Sequence, residues 1–261
     1  DYQDAFSHGV KRRLRKTKNI FLTQVFKIEY KKLQKFERKI FDWFTNKVII
    51  SEADRKFIPH KDNSQIHIIK NGVDFDAFDI DKFKNVEKKF DLLFTGNMNY
   101  PPNINCVEYI AKRILPLLTD EYPDIKLAFV GINPSHSVQK LQNNNIIVTG
   151  WVEDIKQYYA RSKVFLAPMQ IGTGLQNKML EAMAMKLPCV TTELVNNPIG
   201  GTHGTHLLLG QNPLEIADLV KQLLKNEEYA QTIGNNGYNY VIEHFSWEYH
   251  VRLLNDIIEG N

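Results

Sequence analysis

From residue 90 onward the chain alternates between two hydrophobic patterns. Short continuous apolar runs lie at Asp91 to Thr95, Ile125 to Val130, Ile146 to Thr149, Val164 to Ala167 and Pro188 to Thr192, with a weaker one at His206 to Leu209. Runs that are continuous more than alternating predict strands covered on both faces. Between them the spacing becomes helical. Val107, Ile110, Ile114 and Leu117 fall on one face after Pro101-Pro102, and Ile216, Leu219, Leu223 and Leu224 do the same after Pro213, proline being tolerated in a first helical turn. This alternation predicts an α/β fold, a Rossmann-like doubly wound parallel sheet of about six strands joined by right-handed crossovers. Ligands of such sheets bind at the carboxyl ends of the strands, which directs attention to the residues just past Thr95, Val130, Thr149, Pro168 and Thr192.

The first seventy residues read differently. Leu22, Val25, Phe26, Leu33, Phe36, Ile40, Phe41 and Phe44 recur at helical spacing with Lys and Arg between them, predicting a long amphipathic helix over 22–44. One clear strand at Lys47 to Ser51 and a shorter one at Ile66 to Ile69 follow. Charge sharpens the division: residues 1–70 carry 17 Lys/Arg against 8 Asp/Glu, while 71–261 carry 16 against 22, so a net +9 precedes a net −6. The excess sits in Lys11 to Lys16 and Lys27 to Lys39. A basic stripe of this kind suits anionic lipid, nucleic acid or a phosphorylated acceptor, or is simply a solvated helix face.

Over 261 residues, 43% hydrophobic and 24% charged is the balance of a soluble globular protein, and no stretch approaches the roughly 18 apolar residues that cross a bilayer. Cys106 and Cys189 each sit inside an apolar pattern, as expected of a reduced, cytoplasmic protein without a disulfide or zinc framework. The chain starts at Asp1 with no apolar signal segment, and an upstream portion is expected to be missing.

Three of the strand ends carry glycine: Gly96 in Gly96-Asn97-Met98-Asn99-Tyr100-Pro101-Pro102, Gly131 in Gly131-Ile132-Asn133, and Gly150 in Gly150-Trp151-Val152-Glu153-Asp154. Glycine there permits a close backbone approach or a turn of positive φ. The fourth loop is the most informative. Gln170-Ile171-Gly172-Thr173-Gly174-Leu175-Gln176-Asn177-Lys178-Met179-Leu180-Glu181 leads from a strand end through a Gly-x-Gly turn into a helix. Unpaired N–H groups and the positive end of the helix dipole make such a turn an anion cradle. Lys178 adds a full charge, and Glu181, three residues on, can accept hydrogen bonds from a ribose diol. The P-loop pattern and the dinucleotide fingerprint are both absent.

These motifs resemble a known family. From about Val48 to Ile257 the chain looks like a retaining GT-B glycosyltransferase of the family 4 type. The resemblance is carried by Val48 to Arg55, Asn71-Gly72-Val73-Asp74, Leu93 to Gly96, Thr149 to Val152, Gly172 to Ala184, and Phe245-Ser246-Trp247-Glu248. It implies that residues 79–261 are the nucleotide-sugar-binding domain with a return helix at 246–259. Residues 1–78 are then a helix-rich remnant of the acceptor-side domain, with Asn71 to Asp74 at the hinge. It further implies a donor site at Gly96, Asn97, Asn99, Gly131, Trp151, Val152, Gly172, Thr173, Gly174, Leu175, Lys178 and Glu181, with Thr173 and Gly174 facing the sugar. Trp151, Val152 and Asp154 are candidates for the base, Trp151 equally for the core.

Glu181 matches the second glutamate of the family's E-x7-E motif; Thr173 stands where the first would be, and Asn97 and Asn99 where many relatives carry Arg and Lys. The reaction implied is glycosyl transfer from a nucleoside diphosphate sugar to a carbohydrate or lipid-linked hydroxyl in bacterial polysaccharide or glycoconjugate synthesis. No metal or cofactor is expected. With so little acceptor domain, the chain is expected chiefly to bind donor, in the cytoplasm and on the inner membrane face through residues 11–39; nucleic acid is not the expected partner. A non-catalytic nucleotide-binding scaffold is the alternative. An epimerase or dehydrogenase reading, on the Tyr-x-x-x-Lys spacings Tyr122/Lys126 and Tyr159/Lys163, lacks its upstream fingerprint, and metal binding by His203 and His206 lacks companion ligands.

Overall fold

The computed structural model describes residues 1–2, 5–17, 19–83, 86–171 and 174–260. They form two compact units, Asp1–Asn71 with Glu248–Asn261, and Gly72–Trp247. In the first unit, helix α1 (Phe6–Lys16) packs on α2 (Ile20–Trp43), the amphipathic helix the spacing predicts. The Asn19 side chain starts α2 by accepting the N–H groups of Phe21 and Leu22 at 3.0 and 3.1 Å, which satisfies two otherwise orphaned donors. Phe41 and Glu37 face inward, Phe41 joining a small core with Tyr2, Ala5, Ile49, Ile58 and Ile66. The buried Glu37 carboxylate accepts the Ser7 N–H at 2.9 Å in the first turn of α1, where a helix dipole favours negative charge.

Strands β1 (Val48–Ile49) and β2 (His67–Ile68) pair in parallel and are shorter than their apolar runs. At the end of β1, Ser51 turns the chain instead, its Oγ accepting the Asp54 N–H at 3.0 Å as the cap of a short helix.

The second unit holds the parallel sheet. Its strands are β3 (Phe90–Thr95), followed by helix α3 (Pro101–Tyr109), then β4 (Leu127–Val130) and β5 (Ile146–Val148), helix α4 (Lys156–Ala160), β6 (Ser162–Ala167), helix α5 (Asn177–Ala184), β7 (Cys189–Thr191) and β8 (Leu208–Leu209). All six predicted strands are present, in the order β5-β4-β3-β6-β7-β8 and parallel throughout. The central register sets Leu92 and Leu93 beside Val164 and Phe165 on one side and beside Leu127 and Ala128 on the other. Phe94, Phe129 and Phe165 are fully buried, each contributing about 1.5–3 kcal/mol by leaving water. Helix α3 continues through a π-turn at Ile110–Ile114 into Leu115–Thr119, where Pro116 has no N–H to give. Helices α6 (Pro213–Lys225) and α7 (Glu227–Phe245) follow. Ile216 and Leu223 of α6 are buried on the face the spacing predicts.

The expected boundary lies between residues 78 and 79. The units divide between Asn71 and Gly72, inside the motif assigned to the hinge. Residues 72–78 join the second unit because the Val73 N–H bonds the Phe245 carbonyl at 2.8 Å, and because Val73, Phe75 and Phe78 pack into that unit's core. The predicted return helix is α8 (Trp247–Glu259), which from Glu248 onward groups with the first unit.

Candidate functional site

β3 and β6 are neighbours, but the chain leaves β3 for β4 on one side and β6 for β7 on the other. A switch point of this kind is where such sheets hold their ligand crevice, between the loops after the two strands. The loop after β3 is set by contact between two glycines. Gly131 has φ of +148°, and a Cβ there would stand 1.8 Å from the Gly96 carbonyl oxygen. The close approach expected of these glycines is thus first of all to each other. The Met98 N–H then reaches the Ile132 carbonyl at 2.8 Å, so the loops after β3 and β4 are one tied layer.

Lys178, in the first turn of α5, enters this layer from the loop after β6. Its Nζ donates to Asn103 Oδ1 at 2.6 Å and lies 4.6 Å from the centre of the Phe94 ring. Asn103 is buried in the first turn of α3, and its Nδ2 donates to the Asn97 carbonyl at 3.0 Å. Gly96 makes room for the pair: a Cβ there would meet Asn103 Nδ2 at 2.6 Å and Lys178 Nζ at 3.2 Å. Burial pushes the Lys178 ammonium down to about 8, so it is mostly charged at neutral pH. Gln176 gives α5 no side-chain cap. A helix start without a side-chain cap from Gln176 and a dehydrated cation together suit an anion.

Glu181 lies one turn further along α5, and among the described residues it forms no ion pair with Lys178. Its Oε2 accepts the Tyr159 hydroxyl at 2.8 Å, and the same hydroxyl lies 2.8 Å from Thr95 Oγ1. Desolvation raises the carboxyl's pKa, opposed by the Tyr159 hydrogen bond and the Lys178 charge. It raises the fully buried Tyr159 phenol well above its ordinary value, with the Glu181 charge adding. Oε2 thus accepts a hydrogen bond from the protein itself, and Oε1 accepts none from the described residues.

The other predicted residues divide. Gly172 and Thr173 lie outside the described residues. Gly174 accepts the Gln176 side-chain amide at 2.9 Å, and Leu175 packs against the core. Asn97 and Asn99 are exposed, and Asn97 Oδ1 accepts the Asn99 N–H at 3.0 Å, a local turn. Trp151 is 72% exposed, which removes the core reading. Val152 and Asp154 line a cavity of about 500 Å³ that also takes in Phe90, Tyr158 and Arg161. Phe90 opens β3 and Arg161 precedes β6, so this cavity reaches toward the amino ends of those strands, away from the Lys178 crevice. Asp154 also accepts the Lys156 N–H at 3.1 Å, just ahead of α4.

Tyr159 and Lys163 are not a catalytic pair, since Lys163 bonds Asp91 at 2.8 Å. His203 and His206 each accept a backbone N–H on Nδ1, and no cluster of metal-ligating side chains occurs among the described residues. Asn103, Tyr159 and Thr95 are the site residues that sequence reasoning misses. Asn103 did leave a signal, as a polar residue on the apolar stripe of α3, four positions before Val107.

The parallel sheet, its strand order and its switch point define the class: a Rossmann-like domain of the GT-B glycosyltransferase fold. The family profile described as Glycosyl transferases group 1 matches residues 89–226, and the chain belongs to that family. Among curated relatives, the capsular polysaccharide biosynthesis glycosyltransferase CapM of Staphylococcus aureus is 27% identical over 196 residues, covering 68% of this chain and 51% of CapM. An uncharacterized 44.6 kDa protein in the cps region of Klebsiella pneumoniae is 26% identical over 171 residues, covering 60% of this chain and 44% of that protein. The chain therefore spans about half the length of these relatives.

Among solved structures, Anabaena HepE in complex with UDP and glucose superposes with a TM-score of 0.71 at 15% identity, covering 88% of this chain and 67% of HepE. The C-terminal domain of the group 1 protein LpcC of Francisella tularensis superposes at 0.52 with 22% identity, covering 67% of this chain and all of that domain. These superpositions establish the fold.

Proposed function

We propose that the chain binds a nucleoside diphosphate sugar in the switch-point crevice, the diphosphate on Lys178 and the start of α5 and one ribose hydroxyl on Glu181 Oε1. In this reading the chain serves transfer of the sugar, with retention of configuration, to a hydroxyl of a carbohydrate or lipid-linked acceptor in polysaccharide synthesis. The observation that carries it is the Lys178 ammonium, held in a dehydrated setting in the first turn of α5 and bonded to Asn103 Oδ1. Breaking the glycosidic bond leaves both electrons on the diphosphate, and fixed positive groups at that position stabilise the developing charge. The family, the CapM likeness and the presence of UDP in HepE all support this reading. Its test is calorimetry with UDP, GDP and their sugars. Binding of at least one is expected, and no binding by any would overturn it. Transfer is proposed to need no metal, so EDTA is expected to leave it unchanged, and an inverted product would overturn the assigned stereochemistry.

Because Tyr159 already occupies Oε2, Glu181 can offer the ribose one strong acceptor. Glu181→Gln is expected to weaken a ribonucleoside diphosphate by about 1.5–3 kcal/mol, the range of a charged hydrogen bond, and inorganic pyrophosphate by much less. Equal losses for the two would contradict a ribose role.

The basic region is proposed to rest on anionic lipid at the inner face of the membrane. Opposite its buried side, α2 exposes Phe21, Val25, Ile28, Phe36 and Trp43, with Lys32 and Lys39 among them. Lys39 sits 5.1 Å from the Trp43 ring. An apolar stripe ringed by lysines fits an interface between headgroups and acyl chains, and each lysine near the surface adds about 1 kcal/mol. Sedimentation with anionic vesicles is expected to bring the protein down at low salt and release it at high salt, with neutral vesicles binding far less. Equal binding to both would reject the lipid role.

A further inference from the structure

Lys178 is a charge enclosed largely by apolar groups, and its polar surroundings are few. Phe94 from β3 lies under the ammonium. The Cys106 thiol faces it from α3, pushed by burial up to about 12 and therefore neutral. The Glu181 carboxyl faces it from its own helix, already engaged by the Tyr159 hydroxyl of α4. Among the described residues, Asn103 Oδ1 is the acceptor within hydrogen-bond distance of Nζ, at 2.6 Å. The other end of the same carboxamide is spent on the Asn97 carbonyl, which Tyr100 also bonds through its N–H at 3.1 Å. One buried side chain thus joins the loop after β3 to the helix after β6, across the strand pair that forms the crevice.

We propose that Asn103 is a positioning residue for donor binding: its carbonyl oxygen holds the Lys178 ammonium charged and aimed at the crevice before the diphosphate arrives, and its amide fixes the loop that borders it. The proposal rests on the diphosphate reading of this crevice. A buried amine with no acceptor loses its proton because desolvation disfavours the charged form. A neutral amine would serve a diphosphate poorly, so the cost of losing Asn103 appears as lost affinity. An aspartate at 103 would fail for the opposite reason, since it keeps the ammonium charged but cancels that charge within the site.

Two readouts on the full chain separate this proposal from the reading beneath it. The first needs no nucleotide: NMR of the Lys178 side chain, assigned by comparison with Lys178→Arg, is followed from about pH 7 to about pH 10, where a lysine shifted by burial titrates. Wild type is expected to titrate near 8, Asn103→Leu lower and Asn103→Asp higher. The second is UDP or GDP affinity over the same range, whichever binds wild type. Wild-type affinity is expected to fall as pH rises through the lysine titration, with Lys178→Arg flattening the profile. For Asn103→Leu the fall should begin at lower pH, giving roughly tenfold weaker binding at neutral pH, the effect of losing one net hydrogen bond. A Lys178 titration that Asn103→Leu leaves in place, or an unmoved affinity profile in that variant, overturns the role of Asn103. Failure of wild type to bind any nucleoside diphosphate, with the lysine titration moving as described, instead overturns the diphosphate reading and leaves the Asn103–Lys178 coupling standing.

Discussion

Gly131→Ala is expected to destabilise the second unit by about 2–5 kcal/mol, combining backbone strain with an overpacked contact. The residue has φ of +148°, and an added Cβ would fall 1.8 Å from the Gly96 carbonyl oxygen, far inside the contact distance of carbon and oxygen. The neighbour is backbone at the end of β3, so no rotamer change can relieve the clash. The loops after β3 and β4 have to part, and with them the Met98 to Ile132 hydrogen bond. Gly150→Ala is the control. Its φ of +74° is also unfavourable, but nothing lies within 4 Å of its added Cβ, so it is expected to cost only the strain, about 1 kcal/mol. Urea unfolding followed by circular dichroism measures both. A Gly131→Ala midpoint equal to that of Gly150→Ala would mean that the two loops are not pressed together. Because Gly96 also borders the Asn103–Lys178 pair, Gly131→Ala is expected to weaken nucleoside diphosphate binding as well, although residue 131 touches neither side chain.

The sheet was legible because its strands are buried on both faces and so appear as unbroken apolar runs, a one-dimensional signal. Even the weak run at His206 to Leu209 is a strand, reduced to Leu208–Leu209 at the sheet edge. The start of α5 and the placing of Lys178 there were legible for a similar reason, a Gly-x-Gly turn running into an apolar helical pattern. What the pattern does not contain is the identity of partners made by packing. Tyr159 attracted notice only for its spacing to Lys163, yet its hydroxyl turns to Glu181 and Thr95, residues that lie on α5 and β3. That pairing depends on how α4 leans on the sheet, which no local spacing encodes. Lys178 likewise finds Asn103, 75 positions away. The compact units divide at residue 71, ahead of residue 78, because Phe75 and Phe78, isolated aromatics in the sequence, are claimed by the larger core.

Lys178→Met is expected to move stability and nucleotide binding in opposite directions. A lysine whose folded-state pKa is lowered from 10.5 to about 8 binds its proton more weakly in the folded protein than in the unfolded chain. Below the folded value both states are charged and the folded one bears the whole penalty, on the order of 3 kcal/mol for a shift of this size. Between about 8 and 10.5 the unfolded chain holds more protons, so this residue's penalty fades as pH rises through that window. Methionine has a similar length and no charge, so it removes the penalty, while stranding Asn103 Oδ1 at a cost of about 1–3 kcal/mol. The net gain at neutral pH is then about 1 kcal/mol, and the lysine's share of the rise in stability between pH 8 and 10.5 should disappear from the variant. Against this, affinity for the nucleoside diphosphate should fall by about 1.5–3 kcal/mol, the worth of a charged hydrogen bond. Chemical denaturation at neutral and alkaline pH, paired with calorimetry, reads both quantities on the same preparation. A buried charge kept at the expense of stability needs a function to explain it. A variant less stable than wild type with unchanged affinity would make Lys178 a structural residue and remove the main support for an anion site at this switch point.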